Sequence, residues 1–468
     1  MTRTPHLGAG AAAPAPGSWE GRPAGVPGAV PPPPVPLSFL AAASLGLVAC
    51  GVAWVWAAKT AAADPTADRV VAAAHLGMLA TLSMGVLGAL HQFTPVVTGR
   101  PLRSLRLAHA TFITWLGAAW LLPLGFATEN EAVVEAGGAL AAAAVALLVT
   151  NLSAPLAVRG KGTPVVGLRF ALGGFVATAC FGVVYVADRR GSWFDLSGHV
   201  VLAHATIGLF AWLGLTYVAV AEKLWPMFFL AHVPGRRLAG RVAVWAVPAG
   251  VVLLAPGLLL GIVPLAASGA GVLSAGLGAH LVSLAAHTRH RRRPPDLHLL
   301  FVLTSAAWLP IGAGLALTAT FVIPHDHHEG VALAAAAVAA FGGWVLETLV
   351  GHAHKVVPFV GWAALRSHGV DKNSSGKPLM FSNLYNHTSA VLTYAAVTAG
   401  IALLCAGLAG DFPALTALGG VLFVLTGLLT AANLSFTPIR MLSSRIALTG
   451  VARRQPAPDG PSTTISNL

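Results

Sequence analysis

Charge is scarce in this sequence. Only 9% of the 468 residues are Asp, Glu, Lys or Arg, whereas soluble globular domains carry about a quarter. With 56% hydrophobic residues and a mean hydropathy of +0.75, the composition excludes a soluble globular fold and requires an integral membrane protein. Cysteine is scarce too. Cys50, Cys180 and Cys405 stand singly inside apolar runs, which excludes a disulfide framework and a thiolate metal site and leaves them as small core residues. The net charge of +12 would point to nucleic acid in a soluble protein. No nucleic-acid partner is expected here, because the basic residues fall where membrane topology and anionic lipid put them.

What the chain has in quantity is apolar length. A helix needs about 20 apolar residues to span a bilayer. Twelve such runs can be marked, at 37–58, 70–97, 107–126, 132–152, 164–186, 199–221, 242–263, 265–287, 297–323, 331–358, 389–408 and 413–433. Residues 1–36 are rich in Pro, Gly and Ala and are expected to form a disordered tail. Ala-x-Ala patterns after the first run admit a signal peptide, but its long, charge-poor n-region favours a retained helix. The expected organisation is a tail over 1–36, an all-α, twelve-helix polytopic membrane domain over 37–438, and a C-terminal tail over 439–468.

The connecting loops test this count independently. The loops after the second, fourth, sixth, eighth and tenth runs, with the C-terminal tail, hold 22 basic residues against four in the opposite loops. The opposite loops collect acids instead, among them Glu129, Glu131, Glu135, Asp326 and Glu329. By the preference of basic residues for the cytoplasmic side, both termini are expected to be cytoplasmic.

The tenth run ends on Gly351-His352-Ala353-His354-Lys355-Val356-Val357-Pro358, and two earlier runs echo it with His91 before Pro95 and Glu222 before Pro226. The interval from His91 to Glu222 equals that from Glu222 to His354 to within a single position. That period divides twelve helices into three pseudo-repeated groups of four, in which the second, sixth and tenth helices are equivalent. His91, Glu222, His352 and His354 then gather near the cytoplasmic ends, while His75 and His204 lie near the outer ends of the second and sixth. An ionisable residue in a membrane is costly and is a candidate for function. Further histidines inside the runs include His109, His199 and His280.

Two residues apart on a helix, His352 and His354 point about 200° from each other. They cannot chelate one ion together, but each can face its own centre. Glu347 lies seven residues before His354, almost on the same face; it could hold a ligand histidine, carry protons or pair with a polar neighbour. The outer run His325-Asp326-His327-His328-Glu329 offers imidazoles and carboxylates that suit zinc or Cu(II), so copper is a candidate ligand. His91, Glu222 and Glu347, with His325, His327 and His328, are the candidate metal ligands. His91, Glu222 and Glu347, together with His354, also define an alternative function, a haem-free transporter of copper or protons.

With histidines on the second and sixth helices and a His-x-His on the tenth, the chain resembles subunit I of the haem–copper oxidase superfamily over roughly residues 37–433. It is also similar to the oxidase-related bacterial membrane proteins, which implies a bacterial inner membrane. That resemblance implies b-type haem held by His75 on the second helix and by His352 and His354 on the tenth, with His204 at the place of the sixth-helix copper ligand. The family's seventh-helix histidine pair has no counterpart in 242–263, and His204 is followed by Ala205-Thr206-Ile207-Gly208 instead of the family's Glu and Tyr. The resemblance therefore implies electron transfer or a response to a diatomic gas or metal in place of oxygen reduction. The implied partners are the lipid bilayer and an electron-donor protein or other membrane subunits.

Overall fold

The computed structural model describes residues 30–160, 162–193, 199–233, 237–321, 327–367, 369–373 and 376–452. Within them, twelve helices are long and apolar enough to cross a membrane. They are α1 (Pro34–Ala63), α2 (Asp68–Thr98), α3 (Leu105–Ala127), α4 (Glu131–Leu156), α5 (Thr163–Asp188) and α6 (Val200–Phe228), followed by α7 (Leu238–Leu259), α8 (Val263–Arg289), α9 (Leu297–Thr320), α10 (His328–Ser367), α11 (His387–Ala409) and α12 (Pro413–Thr437). The protein is an all-α polytopic membrane protein. Most of the tail expected over 1–36 lies outside the described residues, as does the C-terminal end from 453. The last helix runs on without a break to Ala452, so the segment expected to begin at residue 439 starts as its continuation.

The threefold repeat is written into the hairpins α3–α4, α7–α8 and α11–α12. Each turns through one residue in the left-handed region, Glu129 (φ 52°), Gly261 (φ 67°) and Asp411 (φ 53°). In each, an amide just past the turn reaches back to a carbonyl near the helix end: Asn130 to Gly125 at 2.9 Å, Ile262 to Gly257 at 2.8 Å and Phe412 to Gly407 at 2.8 Å. This is the Schellman closure, which satisfies carbonyls the helix itself leaves open. Glycines then let the two arms touch. A Cβ on Gly137, Gly269 or Gly419 would lie within 3.0 Å of Leu122, Leu254 or Leu404 respectively, at the same sequence separation every time. The first two hairpins keep the period of the motifs. The third is displaced further along the chain, because α10–α11 carries the longest connection at the basic end.

Helices α2, α6 and α10 form the centre, and each contains an eight-residue π-helical segment: Leu76–Ser83, Ile207–Gly214 and Ala339–Leu346. The starts of these segments follow the same period as the motifs. A π-turn adds a residue per turn and loosens the hydrogen-bond ladder, and such segments gather at functional sites. Here they also interlock the core. Trp212 of α6 donates from Nε1 to Ser83 Oγ of α2 at 3.1 Å, and Trp344 of α10, at the equivalent position, lies 2.7 Å from where a Cβ on Gly214 of α6 would stand. The ring of helices closes where α1 meets α12: a Cβ on Gly51 would be 2.5 Å from Gly420 O.

The prolines of the three motifs differ from expectation. They do not close their helices: Pro95, Pro226 and Pro358 all lie inside them, and α10 continues to Ser367. Proline has no N–H, so the carbonyls four residues earlier, those of His91, Glu222 and His354, receive no helical hydrogen bond from it. The backbone is therefore opened at the candidate residue of each repeat. Of the cysteines expected in the core, Cys50 and Cys405 are buried there, but Cys180 is exposed on the outside of α5.

Candidate functional site

The three motifs meet. Phe93 of α2, Leu224 of α6 and Val356 of α10 occupy equivalent positions of the repeat and pack into one apolar cluster with Trp225 and Phe228, at the end of the bundle that carries the basic loops. Around this axis the repeat places a candidate side chain on each central helix. His91 is fully buried and stacks on Phe39 of α1 with ring centres 5.2 Å apart. His354 stacks in the same way on Phe301 of α9, at 6.0 Å. Phe39, Phe170 and Phe301 are evenly spaced along the chain at the period of the motifs, so the aromatic seat belongs to the repeat.

The protonation of these rings follows from their partners. Nδ1 of His91 lies 2.7 Å from Leu87 O, that of His352 2.8 Å from Thr348 O, and that of His354 2.8 Å from Val350 O. A carbonyl only accepts, so Nδ1 carries the proton in the neutral ring and Nε2 keeps a free lone pair. In all three rings Nε2 is buried without a partner. Each ring is thus fixed through Nδ1 and presents Nε2 as an acceptor without a partner.

The middle repeat is different. Glu222 takes the place of a histidine, accepts from Ser283 Oγ of α8 at 2.9 Å, and lies so close to α7 that a Cβ on Gly240 would be 1.9 Å from its carboxylate. Ser283 stands where the other repeats have asparagines, Asn151 and Asn433, each accepting a backbone amide from 47 positions earlier in the chain, at Ser104 and Asn386.

His352 turns to the other side of α10, into a cluster that the repeat does not predict. Its ring is 4.8 Å from His298 of α9, 6.0 Å from Tyr217 and 6.0 Å from Phe228 of α6. Tyr217 also touches His280 of α8 at 5.3 Å, which in turn lies 4.8 Å from Trp225 and 5.9 Å from Trp344. Six buried polar atoms here have no partner: Nε1 of Trp225 and of Trp344, Nδ1 of His280, both ring nitrogens of His298, and Nε2 of His352. Unpaired polar groups are expensive inside a bilayer. The cluster is asymmetric: the repeat puts Leu148 and Thr430 at the place of His280, Pro36 and Gly167 at that of His298, and Ala89 and Val220 at that of His352. Repetition explains a scaffold; the residues that depart from it need another reason. At its mouth the buried Lys355 pairs with Asp296 and lies 5.5 Å over the Phe228 ring.

The remaining candidates separate from this site. His75 and His204 sit at the acidic end, against Phe126 at 5.1 Å and Phe181 at 5.5 Å respectively. His91 shares the level of His354, and the helix from His75 to His91 is about 24 Å long at about 1.5 Å per residue. One porphyrin cannot join His75 to the His352/His354 pair, contrary to the pairing the family resemblance implies. Glu347 is fully buried and holds neighbours together: Trp308 Nε1 of α9 donates to one oxygen at 3.0 Å and Thr398 Oγ1 of α11 to the other at 2.7 Å. Of its three expected roles, the structure therefore displays pairing with polar neighbours. Glu347→Gln keeps an oxygen for Trp308 and is expected to leave the thermal midpoint in detergent nearly unchanged. Glu347→Leu strands both donors and is expected to cost about 2 kcal/mol.

His325 lies outside the described residues and so does the side chain of His327; His328 is 3.7 Å from Asp411. Among the described residues, no three His, Cys, Asp or Glu side chains converge as an ion site, so His91, Glu222 and Glu347 do not form one. Sequence reasoning missed His298, Tyr217, Trp225 and Trp344 as members of a site. His298 stands at the very start of the ninth run, directly after the basic loop, and no spacing ties it to His352, a whole helix further on.

Fold and site together define a polytopic helical membrane protein with an internal threefold repeat and an asymmetric histidine–tryptophan cluster between α6, α8, α9 and α10. No protein-family model and no curated protein matches the chain.

Proposed function

We propose that the chain is a haem-binding protein of the bacterial cytoplasmic membrane, similar to oxidase subunit I, with both termini cytoplasmic. Its role is electron transfer or the handling of a diatomic gas. The observation that carries this proposal is the set of buried imidazoles with Nδ1 bound to a carbonyl and Nε2 unpartnered. The donor chemistry fits a haem that these imidazoles would hold through Nε2. His352 and His354, on opposite sides of α10, would serve separate centres, and His91 would serve at the level of His354. The N–H groups of Trp225, Trp344, His280 and His298 would take acceptor oxygens beside His352. Haem, when bound, supplies a one-electron iron centre whose potential the axial ligands and the apolar surroundings set. The chain's own part is to fix the imidazoles and exclude water with the apolar cluster around Leu224, Phe228 and Val302.

The test is a reduced-minus-oxidised optical spectrum, with haem extraction, on detergent-purified protein. Sharp α-bands with at least one haem per chain are expected. A colourless preparation from cells supplied with haem overturns the proposal and returns the haem-free carriage of copper or protons to first place.

A further inference from the structure

Between α4 and α5 the flank of the bundle opens into a groove of about 360 Å³, lined by Val149, Leu156, Leu172, Gly173 and Val176, with Arg169 at the basic end. Two features make it a built site. The first is the arginine. Its Nε donates to Leu156 O at 2.7 Å and one terminal nitrogen to Val158 O at 2.5 Å. The first is the last carbonyl of α4, which the helix leaves without a partner, and the second lies two residues beyond it. The bonds hold the guanidinium still and use two of its five N–H groups, so a cation with donors to spare stands at the foot of an apolar channel. The second is the floor. A Cβ on Gly173 would meet nothing within 4 Å, whereas most glycines of this bundle are there to let helices touch.

One of the equivalent junctions in the repeat is closed instead. At the equivalent junction of α12 with α1, the helices are drawn together by Gly51, Gly420 and Gly427, and the residue one period before Arg169 is Ser38. An apolar channel on the outside of a membrane domain, ending on a fixed cation at the level of the basic loops, matches a molecule with an acyl chain and an anionic head. We propose that the α4–α5 groove binds one anionic phospholipid, an acyl chain lying along Leu156, Leu172 and Val176 and the phosphate accepting from Arg169.

The test uses the full chain in detergent, incubated with phosphatidylglycerol or phosphatidylcholine and examined by native mass spectrometry. The intact protein is expected to retain one phosphatidylglycerol about tenfold more tightly than phosphatidylcholine, the scale of a charge-assisted contact. Arg169→Gln is expected to abolish that preference. Because Arg169 also caps α4, Gly173→Leu provides the independent arm: it fills the groove from a position where a Cβ meets nothing within 4 Å, and it is expected to remove the tightly held lipid while leaving the thermal midpoint of lipid-free protein unchanged. Equal retention of the two lipids by the intact protein, or full retention by Gly173→Leu, overturns the proposal and leaves only ordinary bulk lipid contact.

Discussion

Replacing His354 by alanine is expected, on the proposed haem reading, to remove one complete haem signal from the optical spectrum, and replacing His352 to remove a different one. The two rings are two residues apart on α10 and look to opposite sides, His354 to Phe301 and His352 to Tyr217, Phe228 and His298. Loss of an axial ligand is a loss of the centre it holds, so the two substitutions should add in the double variant. His91→Ala should likewise lower the haem content, because its ring occupies an equivalent aromatic seat in another repeat. His109→Ala supplies the control: this ring is exposed near the start of α3, and its removal should leave the haem content unchanged. Identical spectra from the His352 and His354 variants would contradict separate centres.

The second large effect concerns packing. Gly46 of α1 lies against the π-helical segment of α2, where a Cβ would stand 2.1 Å from Ala80 O, and Gly174 of α5 lies against that of α6, 2.2 Å from Ala211 O. The obstruction in both cases is backbone, which cannot swing aside as a side chain can. Gly46→Val or Gly174→Val must push a whole helix outward. Each is expected to cost at least about 3 kcal/mol, the upper range for overpacking a well-filled core, and to reduce the yield of folded protein in size-exclusion chromatography. Gly278→Ala, at a position where a Cβ meets nothing within 4 Å, should be neutral or gain up to about 1 kcal/mol from helix propensity. A bundle that tolerated Gly46→Val would not be held by the contact described.

The haem and lipid proposals are separable. The first rests on rings at the bundle axis, the second on a groove at its flank, and no residue is shared between them. A colourless protein that keeps phosphatidylglycerol, or a haem protein that does not, would each leave one standing.

The sequence by itself determined twelve helices and their threefold period. Both depend on properties that act along the chain: apolar length against the thickness of a bilayer, and a regular spacing that survives because each repeat must bury the same faces. His91, Glu222 and His354 could be found by counting, and their placement on equivalent helices follows from that count. The opposite facing of His352 and His354 was legible as well, since it needs only the helical angle.

Tertiary structure decided what the side chains meet. The π-segments leave no mark in hydropathy, because a change of one residue per turn does not alter an all-apolar stretch. Glu347 stood equally for ligand support, proton carriage or polar pairing until Trp308 and Thr398 arrived from α9 and α11, one helix before it and one after. The separation of His75 from the His352/His354 pair, and the gathering of His280 and His298 around His352, depend on which helices become neighbours. In a membrane that choice is made by close contact at small residues and by paired polar groups, here Gly46, Gly174 and Ser83, and none of these announces its partner in the linear sequence.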